Sequence, residues 1–211
     1  MVARRGDIQD LGLIPYDAAW KLQEKLRKKR FADSIPNTLL LLEHPPVFTL
    51  GRRPCEEDLL VPREMVMKAG IDIVQSNRGG RMTYHGPGQL VGYFIFSLPA
   101  VRMSVQQFVC AVEEICRLVV ADFGVVGVRD PDHPGIWVGS KKIAAVGLHF
   151  SHGVSQHGFA LNVAPNLDHY RYITPCGIQG RGVTSLAELL SAPPSMAEVK
   201  ARTAFHVQRI F

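Results

Sequence analysis

An α+β fold, one mixed β-sheet flanked by helices, is what the sequence predicts. Three observations carry it. Strand-like runs come in adjacent groups, at 37–50 and across 135–163, while helix signatures cluster near the start, middle and end; the strict alternation of a parallel sheet is missing. A chain of 211 residues can bury roughly 70% of its unfolded surface, so a core forms without disulfide or metal. No internal repeat or low-complexity linker divides it, so one domain over residues 1–211 is expected.

The first helix is predicted over 15–30. Pro15 suits a first helical position, and Ala19, Leu22 and Leu26 recur at helical spacing. Residues 37–43 read as a fully buried strand, four leucines between a turn signal and His44-Pro45-Pro46, with a second strand at 47–50. A short helix over 62–69 and a strand over 71–75 follow. Residues 89–98, rich in aromatic and branched side chains, make a long central strand. The clearest helix starts at Ser104: Ser104 and Gln107 form a capping-box pattern, and Val105, Phe108, Val109, Val112, Ile115, Cys116 and Val119 mark one face, which assigns Cys116 to the core. A meander of three strands is predicted at 135–138, 142–150 and 156–163. Ser185 with Glu188 and Ser195 with Glu198 mark two closing helices.

Composition narrows the function. Gly 19, Pro 14 and 20% charged residues fit neither a disordered tail nor a collagen-like repeat. The most apolar stretch, 90–101, is broken by Gly92, Ser97 and Pro99, so no membrane span is expected. Arg4 and Arg5 are followed at once by Asp7 and Asp10 rather than by an apolar signal core, which points to a cytoplasmic protein with its own start. Cys55, Cys110, Cys116 and Cys176 show no C-x-x-C spacing, as expected of thiols in a reducing compartment. The net charge is +5, and Lys21, Lys25, Arg27, Lys28, Lys29 and Arg30 concentrate it on one helix. Such a run is a solvated face or the landing site of an acidic protein; without interleaved aromatics it does not suit nucleic acid.

Three segments hold chemistry. In the first, 78–89, four glycines, two arginines and a histidine lie between strands, a composition that frees backbone N–H groups for a ligand but matches neither phosphate-loop fingerprint. The second is a strand with Lys142 among small residues; by the period of two, Lys142, Ala144, Val146 and Leu148 share one face, and Ala144, Ala145 and Gly147 leave room beside the lysine. The third is Thr174-Pro175-Cys176-Gly177, which presents a thiol from a defined loop. A thiol needs a nearby cation or base to become a strong nucleophile, and a lysine or histidine supplies one. His149, His152 and His157 have metal-like spacing but no adjacent carboxylate or cysteine, so no metal is expected. No G-x-S-x-G element occurs, which argues against a serine hydrolase.

In combination, R-G-G-x-x-T-x-H-G-P-G-Q at 78–89, K-I-x-x-x-G at 142–147, H-G-x-A-L-N at 157–162 and P-C-G at 175–177 resemble the lipoyl(octanoyl) transferases, from His44-Pro45-Pro46 to Thr184-Ser185-Leu186. The resemblance implies the fold of biotin and lipoate protein ligase catalytic domains. It implies Cys176 as acyl-thioester nucleophile and Lys142 as the partner that lowers its pKa and shuttles protons. Arg78, Gly79, Gly80, Arg81, Met82, Thr83, Tyr84 and His85, with Ala145, Val146, Gly147, Gly158, Phe159 and Ala160, would line the acyl site. The implied donor is octanoyl-acyl carrier protein. The implied acceptors are lipoyl domains of 2-oxoacid dehydrogenase complexes and the glycine cleavage H protein; no cofactor, nucleic acid or membrane is implied. Three rivals stand beside this reading. An ATP-using ligase of the same fold typically has glycine and a small residue after the strand lysine, where this chain has Ile143-Ala144-Ala145. A cysteine thioesterase would pair Cys176 with His85, His149 or His157, and a non-catalytic acyl-carrier binding module would leave Cys176 structural.

Overall fold

The chain is described by a computed structural model over residues 6–53, 56–177 and 180–211, with Cys176 described by its backbone alone; Cys55 lies outside these residues. It opens on a strand that the sequence reading did not anticipate, β1 (Asp7–Leu13). With three polar and three apolar residues out of regular alternation and none of them fully buried, β1 offers no hydrophobic pattern to read. Helix α1 (Tyr16–Phe31) then leads to β2 (Thr38–Glu43), which pairs with β1 in parallel. The four leucines of β2 are buried in two directions: Leu39 and Leu41 enter the main core, whereas Leu40 and Leu42 meet Ala19, Leu22 and Leu26 of α1. Lys21, Lys25, Lys28 and Lys29 are left in solvent. Arg30 departs from the expected basic face: it is buried, and its guanidinium donates to Asp33 at 2.5 Å and to Asn37 at 2.8 Å, tying the end of α1 to the next turn.

A small sheet follows. β3 (Val47–Leu50) pairs in parallel with β4 (Asp72–Gln75), reached through α2 (Arg63–Lys68), and antiparallel with β5 (Thr83–His85). β5 falls inside the segment read as a glycine-rich loop. Its three residues are too few for a periodic signal, and the pairing with β3 is what makes it a strand.

β6 (Gln89–Ile95) stops short of the expected 98, because Ser97 caps the one-turn helix α3 (Leu98–Val101) by accepting from Ala100 N. Helix α4 (Val105–Asp122) has the anticipated capping box, with Ser104 and Gln107 each accepting the other's backbone N–H. β7 (Val128–Arg129), β8 (Gly135–Val138), β9 (Lys141–Ser151) and β10 (Val154–Asn162) give the meander, and β11 (Gly182–Val183), α5 (Leu186–Leu189) and α6 (Met196–Ile210) close the chain. The main sheet runs β1-β2-β6-β10-β9-β8-β7, with β11 alongside β9; β1–β2 and β11–β9 are parallel and the other pairs antiparallel, so the sheet is mixed.

Helices α4 and α6 cover one face of this sheet, where Phe94, Phe108, Val112, Ile115, Cys116, Val119, Ile136, Phe159, Leu161, Val199 and Val207 form one core. Each large apolar side chain buried there contributes about 1.5–3 kcal/mol. Burial pushes the Cys116 thiol far up its titration range, which suits a core residue rather than a nucleophile. Helix α1 covers only part of the other face, and the remainder is the floor of a cleft.

Candidate active site

The cleft floor is made of small residues placed opposite one another. In the β9–β10 ladder Gly147 faces Gly158 and Ala145 faces Ala160. Because successive side chains alternate, these four turn to the α1 side, while Val146 and Phe159 pack on the α4 side and bring only backbone to the cleft. The trough cannot be narrowed cheaply: a Cβ on Gly147 would meet Gly79 O at 3.0 Å, and one on Gly158 would meet Gly92 O at 2.2 Å.

The walls come from Tyr16 at the start of α1, Arg78, Gly79, Gly80, Thr83, His85, Tyr93 of β6 and His157 of β10. Within the 78–85 run, three consecutive residues, Arg78, Gly79 and Gly80, border the cleft, and along β5 the alternate residues Thr83 and His85 do so. Met82 and Tyr84 do not: pleating turns both into the small sheet's core with Phe48, Val66 and Ile71, and this corrects the expectation that the whole run lines one pocket. Arg81 stands at the rim, where Asp58 takes its Nε and Nη2 at 2.8 Å each and Glu57 is a further partner.

Arg78 sits beneath the cleft, buried, with no carboxylate partner among the described residues. Thr49 satisfies it instead, accepting from Nε at 3.0 Å through Oγ1 and from Nη2 at 2.5 Å through its carbonyl; Nη1 donates to Gly79 O at 3.0 Å. Three imidazoles are buried or nearly buried around it, and the Arg78 charge bears on two of them, His85 and His157. His44 bridges Ile14 O and the Tyr93 hydroxyl, both at 2.7 Å, and burial lowers its pKa to about 4. His157, bonded to Asn77 Oδ1 at 2.6 Å, is lowered to about 3 by burial and then by Arg78. His85, held between Gln89 and Thr49, is pushed well below the ordinary range by burial and by its charged neighbours. At neutral pH the cleft is thus walled by neutral hydrogen-bonding rings.

Lys142 lies at the other end. β8 pairs Trp137 with Lys142 and Ile136 with Ala144, which leaves Ile143 as an extra residue, a β-bulge. Ile143 and Ala144, adjacent in sequence, both enter the main core. This corrects the expectation that Lys142 shares a face with Ala144, Val146 and Leu148: the bulge breaks the alternation, and Lys142 instead borders a small cavity with Thr83, Ala145, Ala160, Asn162, Tyr170 and Pro175. Only 7% exposed, the lysine donates from Nζ to Pro134 O at 3.0 Å and stands 4.8 Å from the Trp137 ring centroid. Its surroundings are themselves braced. Glu113 of α4 accepts from Gly135 N at 2.8 Å, Trp137 Nε1 donates to His133 O at 3.1 Å, and Arg181 stacks 3.5 Å from the other partner of Lys142, the Trp137 ring.

Pro175–Gly177 is a single 3-10 turn whose Gly177 N donates to Thr174 O at 3.0 Å. Pro175 borders the Lys142 cavity, so the backbone that carries Cys176 runs beside the lysine; the Cys176 side chain lies outside the described residues. Sequence reasoning missed Tyr16, His44, Thr49, Tyr93, Glu113 and Trp137. For His44 the preceding buried strand and the Pro45-Pro46 stop were a usable signal; Glu113, an acid in an otherwise apolar helix face, was another.

Comparison with known proteins identifies the family and the fold. Residues 15–208 match the family model of the lipoyl protein ligase A/B catalytic domain. The octanoyltransferase of Caldicellulosiruptor saccharolyticus is 41% identical over 203 residues, 95% of this chain and 86% of that protein. The octanoyltransferase of Chloroflexus aggregans is 44% identical over 207 residues, 97% of this chain and 94% of its own length. Among solved structures, a bi-partite lipoate protein ligase from Thermoplasma acidophilum superposes with a TM-score of 0.75 at 17% identity, covering 98% of this chain and 83% of that one. A biotin protein ligase from Aquifex aeolicus gives 0.60 at 13% identity, covering 97% and 69%. The last two speak for the fold alone. No helix among the described residues is long and apolar enough to cross a membrane. With a mixed sheet of the ligase type, a glycine-floored cleft ending at a buried lysine and full-length likeness to octanoyltransferases, the chain belongs to the lipoyl protein ligase A/B catalytic-domain family, among its octanoyltransferases.

Proposed function

We propose that this chain, acting as one cytoplasmic catalytic domain, moves an octanoyl group from acyl carrier protein to the acceptor lysine of lipoyl domains and of the glycine cleavage H protein through a thioester on Cys176. The observation that carries the reading is the joint placement of Lys142 and Pro175 around one cavity at the end of the glycine-floored cleft. In the first transfer the Cys176 proton resides on Lys142, as an ammonium beside the thiolate, and the thiolate attacks the donor's carbonyl carbon. The donor C–S bond then breaks, and its sulfur leaves with the proton returned from Lys142. In the second transfer the acceptor amine attacks the Cys176 thioester and gives its proton to Lys142, which passes it to the departing Cys176 sulfur. An amide and the free thiol result. Backbone N–H groups near Gly147 or Cys176 would steady the oxyanion of each tetrahedral intermediate. The donor is already an activated thioester, so the exchange needs neither ATP nor a metal.

The histidines favour this reading over the thioesterase. His85 spends both ring nitrogens on neutral partners and stays unprotonated, and His157 bonds Asn77 at the α1 side of the cleft. The test is to mix the protein with octanoyl-acyl carrier protein, without ATP, and read intact masses before and after adding a lipoyl domain. The expected result is one octanoyl adduct, absent from Cys176→Ser, that passes to the acceptor lysine. Release of free octanoate at the same rate without acceptor, or an adduct that persists in Cys176→Ser, would overturn it.

A further inference from the structure

A second opening adjoins the cleft. It is a groove of about 610 Å³ bordered by Lys142, the loop Gly79-Gly80-Arg81, the loop 131–134, Arg53, and the apolar side chains Val105 and Val109 of α4 with Phe150 of β9. Gly79, Gly80, Val146 and Gly147 belong to both openings, so groove and cleft meet along the same stretch of β9. The groove exists because β8 is short. Its pairing with β9 ends at Gly135 opposite Ala145, and past that point the outer edge of β9 pairs with no strand among the described residues. Gly79 N donates across this edge to Leu148 O at 3.0 Å, so Leu148 turns its backbone polar groups outward, and by the period of two Val146 and Phe150 do the same. The groove therefore has one wall of strand-edge backbone, on which Leu148 O is already taken by Gly79 N and the outward groups of Val146 and Phe150 flank it, and one apolar wall. Its charges are unequal. Arg81 is neutralised by Asp58 and Glu57, and His133 lies beside Asp130, while Asp132 adds a negative charge. Arg53, exposed on the rim, has no ion-pair partner among the described residues.

Resting on the transfer reading above, we infer that this groove binds the donor's thiol-bearing arm, a flexible chain with amide groups ending in a phosphate: phosphopantetheine. The arm's amides pair with the open edge of β9, its methylenes lie against Val105, Val109 and Phe150, and Arg53 takes the phosphate. A strand edge suits an amide-bearing ligand for the same reason that it suits another strand. Because the groove reaches Lys142, an arm lying in it delivers its sulfur to the place where the acyl chain in the cleft begins, and the two openings together hold the two halves of one thioester.

The experiment measures acylation of the full chain by two small donors, octanoyl-phosphopantetheine and octanoyl-pantetheine, and separately the transfer from acylated enzyme to a lipoyl domain. The wild type is expected to use the phosphorylated donor with at least a fivefold higher kcat/KM. Arg53→Gln abolishes that preference without changing the rate with octanoyl-pantetheine. Val109→Trp, which fills the apolar wall, raises KM for both donors tenfold or more and leaves the acceptor step and the melting temperature in place. Val105→Trp, at an exposed first-turn position, repeats the block if Val109→Trp does not fold. Unchanged KM values in the folded tryptophan variants, or a defect confined to the acceptor step, overturn the assignment, the latter giving the groove to the acceptor. A wild type acylated by neither these donors nor octanoyl-acyl carrier protein overturns the transfer reading itself, and the groove assignment with it.

Discussion

Glu113 is a buried acid that borders neither the cleft nor the groove, yet the structure makes it a support of Lys142. Its Oε1 accepts from Gly135 N at 2.8 Å; Pro134, one residue earlier, offers its carbonyl to Lys142 Nζ at 3.0 Å. Gly135 leaves no room for an alternative, since it has φ +128° and a Cβ there would lie 2.3 Å from Ala144 O. Glu113→Ala removes a hydrogen bond to a charged acceptor and orphans a buried N–H, a loss of about 2–3 kcal/mol. For a domain of this size that lowers Tm by roughly 4–12 °C. The freed loop carries Pro134 with it, and Lys142 loses one fixed acceptor; a tenfold slower single-turnover acylation of Cys176, about 1.4 kcal/mol, is the expected result. Glu113→Gln keeps an acceptor oxygen and should recover most of both quantities. Thermal melts and intact-mass time courses on the two variants decide it. If Glu113→Ala melts lower but acylates at the wild-type rate, Glu113 supports the fold and not the lysine; if Tm does not move, the hydrogen bond contributes nothing and the reasoning fails.

The buried histidines make stability depend on pH. His44 and His157 are harder to protonate folded than unfolded, so below pH 6.5 the unfolded chain binds more protons; stability is complete above about pH 6.5 and falls as pH drops toward 4. At pH 5 the loss is about 2 kcal/mol per histidine, measurable as a lower urea midpoint than at pH 7.5; equal midpoints would mean that the imidazoles are not held neutral. Gly147→Val sets a branched side chain on the cleft floor against Gly79 O; it should cost about 1–3 kcal/mol of stability and slow acylation by octanoyl donors far more than by acetyl donors. An equal effect on both would show that the chain does not lie over Gly147. Changing Lys21, Lys25 and Lys28 together to Glu should lower kcat/KM for the acidic carrier protein severalfold at low salt, leave octanoyl-pantetheine unaffected, and lose its effect as salt rises. A uniform effect on both donors would take the helix out of carrier recognition.

The elements with strong local signals were readable in advance. The leucines of β2 announce a strand buried on both faces, and the capping boxes at Ser104 and Ser195 locate α4 and α6 to within a residue or two. What escaped depended on pairing rather than on local pattern. β1 is an edge strand held by its neighbour, and β5 is three residues long inside a glycine-rich segment. The motif residues were found as a set, but their division between cleft, rim and small core follows from pleating about β5 that no composition records. Arg78 was read as a wall residue among others; that it is a buried cation donating to Thr49 and to Gly79 O comes from the fold of 49–51 against 76–80.

The bulge at Ile143 shows how narrowly the site depends on register. A regular ladder would carry the alternation through, placing Lys142 on the face of Ala144, under α4 and among apolar side chains with no acceptor for an ammonium. One extra residue reverses this. Ile143 takes the core position, and Lys142 passes to the side where Ala145, Ala160 and Pro175 stand. The β11 pairing, Val183 with Lys142, and the bond from Thr184 N to Lys142 O at 3.0 Å then fix the lysine's backbone from the other edge. A lysine at this depth needs this kind of restraint, because burial costs desolvation that is recovered only through acceptors held in place. Here Pro134 O is held through Glu113, and the Trp137 face through Arg181 and His133, so parts of α4, the 130–134 loop and the segment around 181 all converge on one ammonium group. The small residues after the bulge keep the cleft floor open, and the bulge itself turns the lysine toward that side. Strand β9 thus joins the two halves of the site through the placement of a single isoleucine.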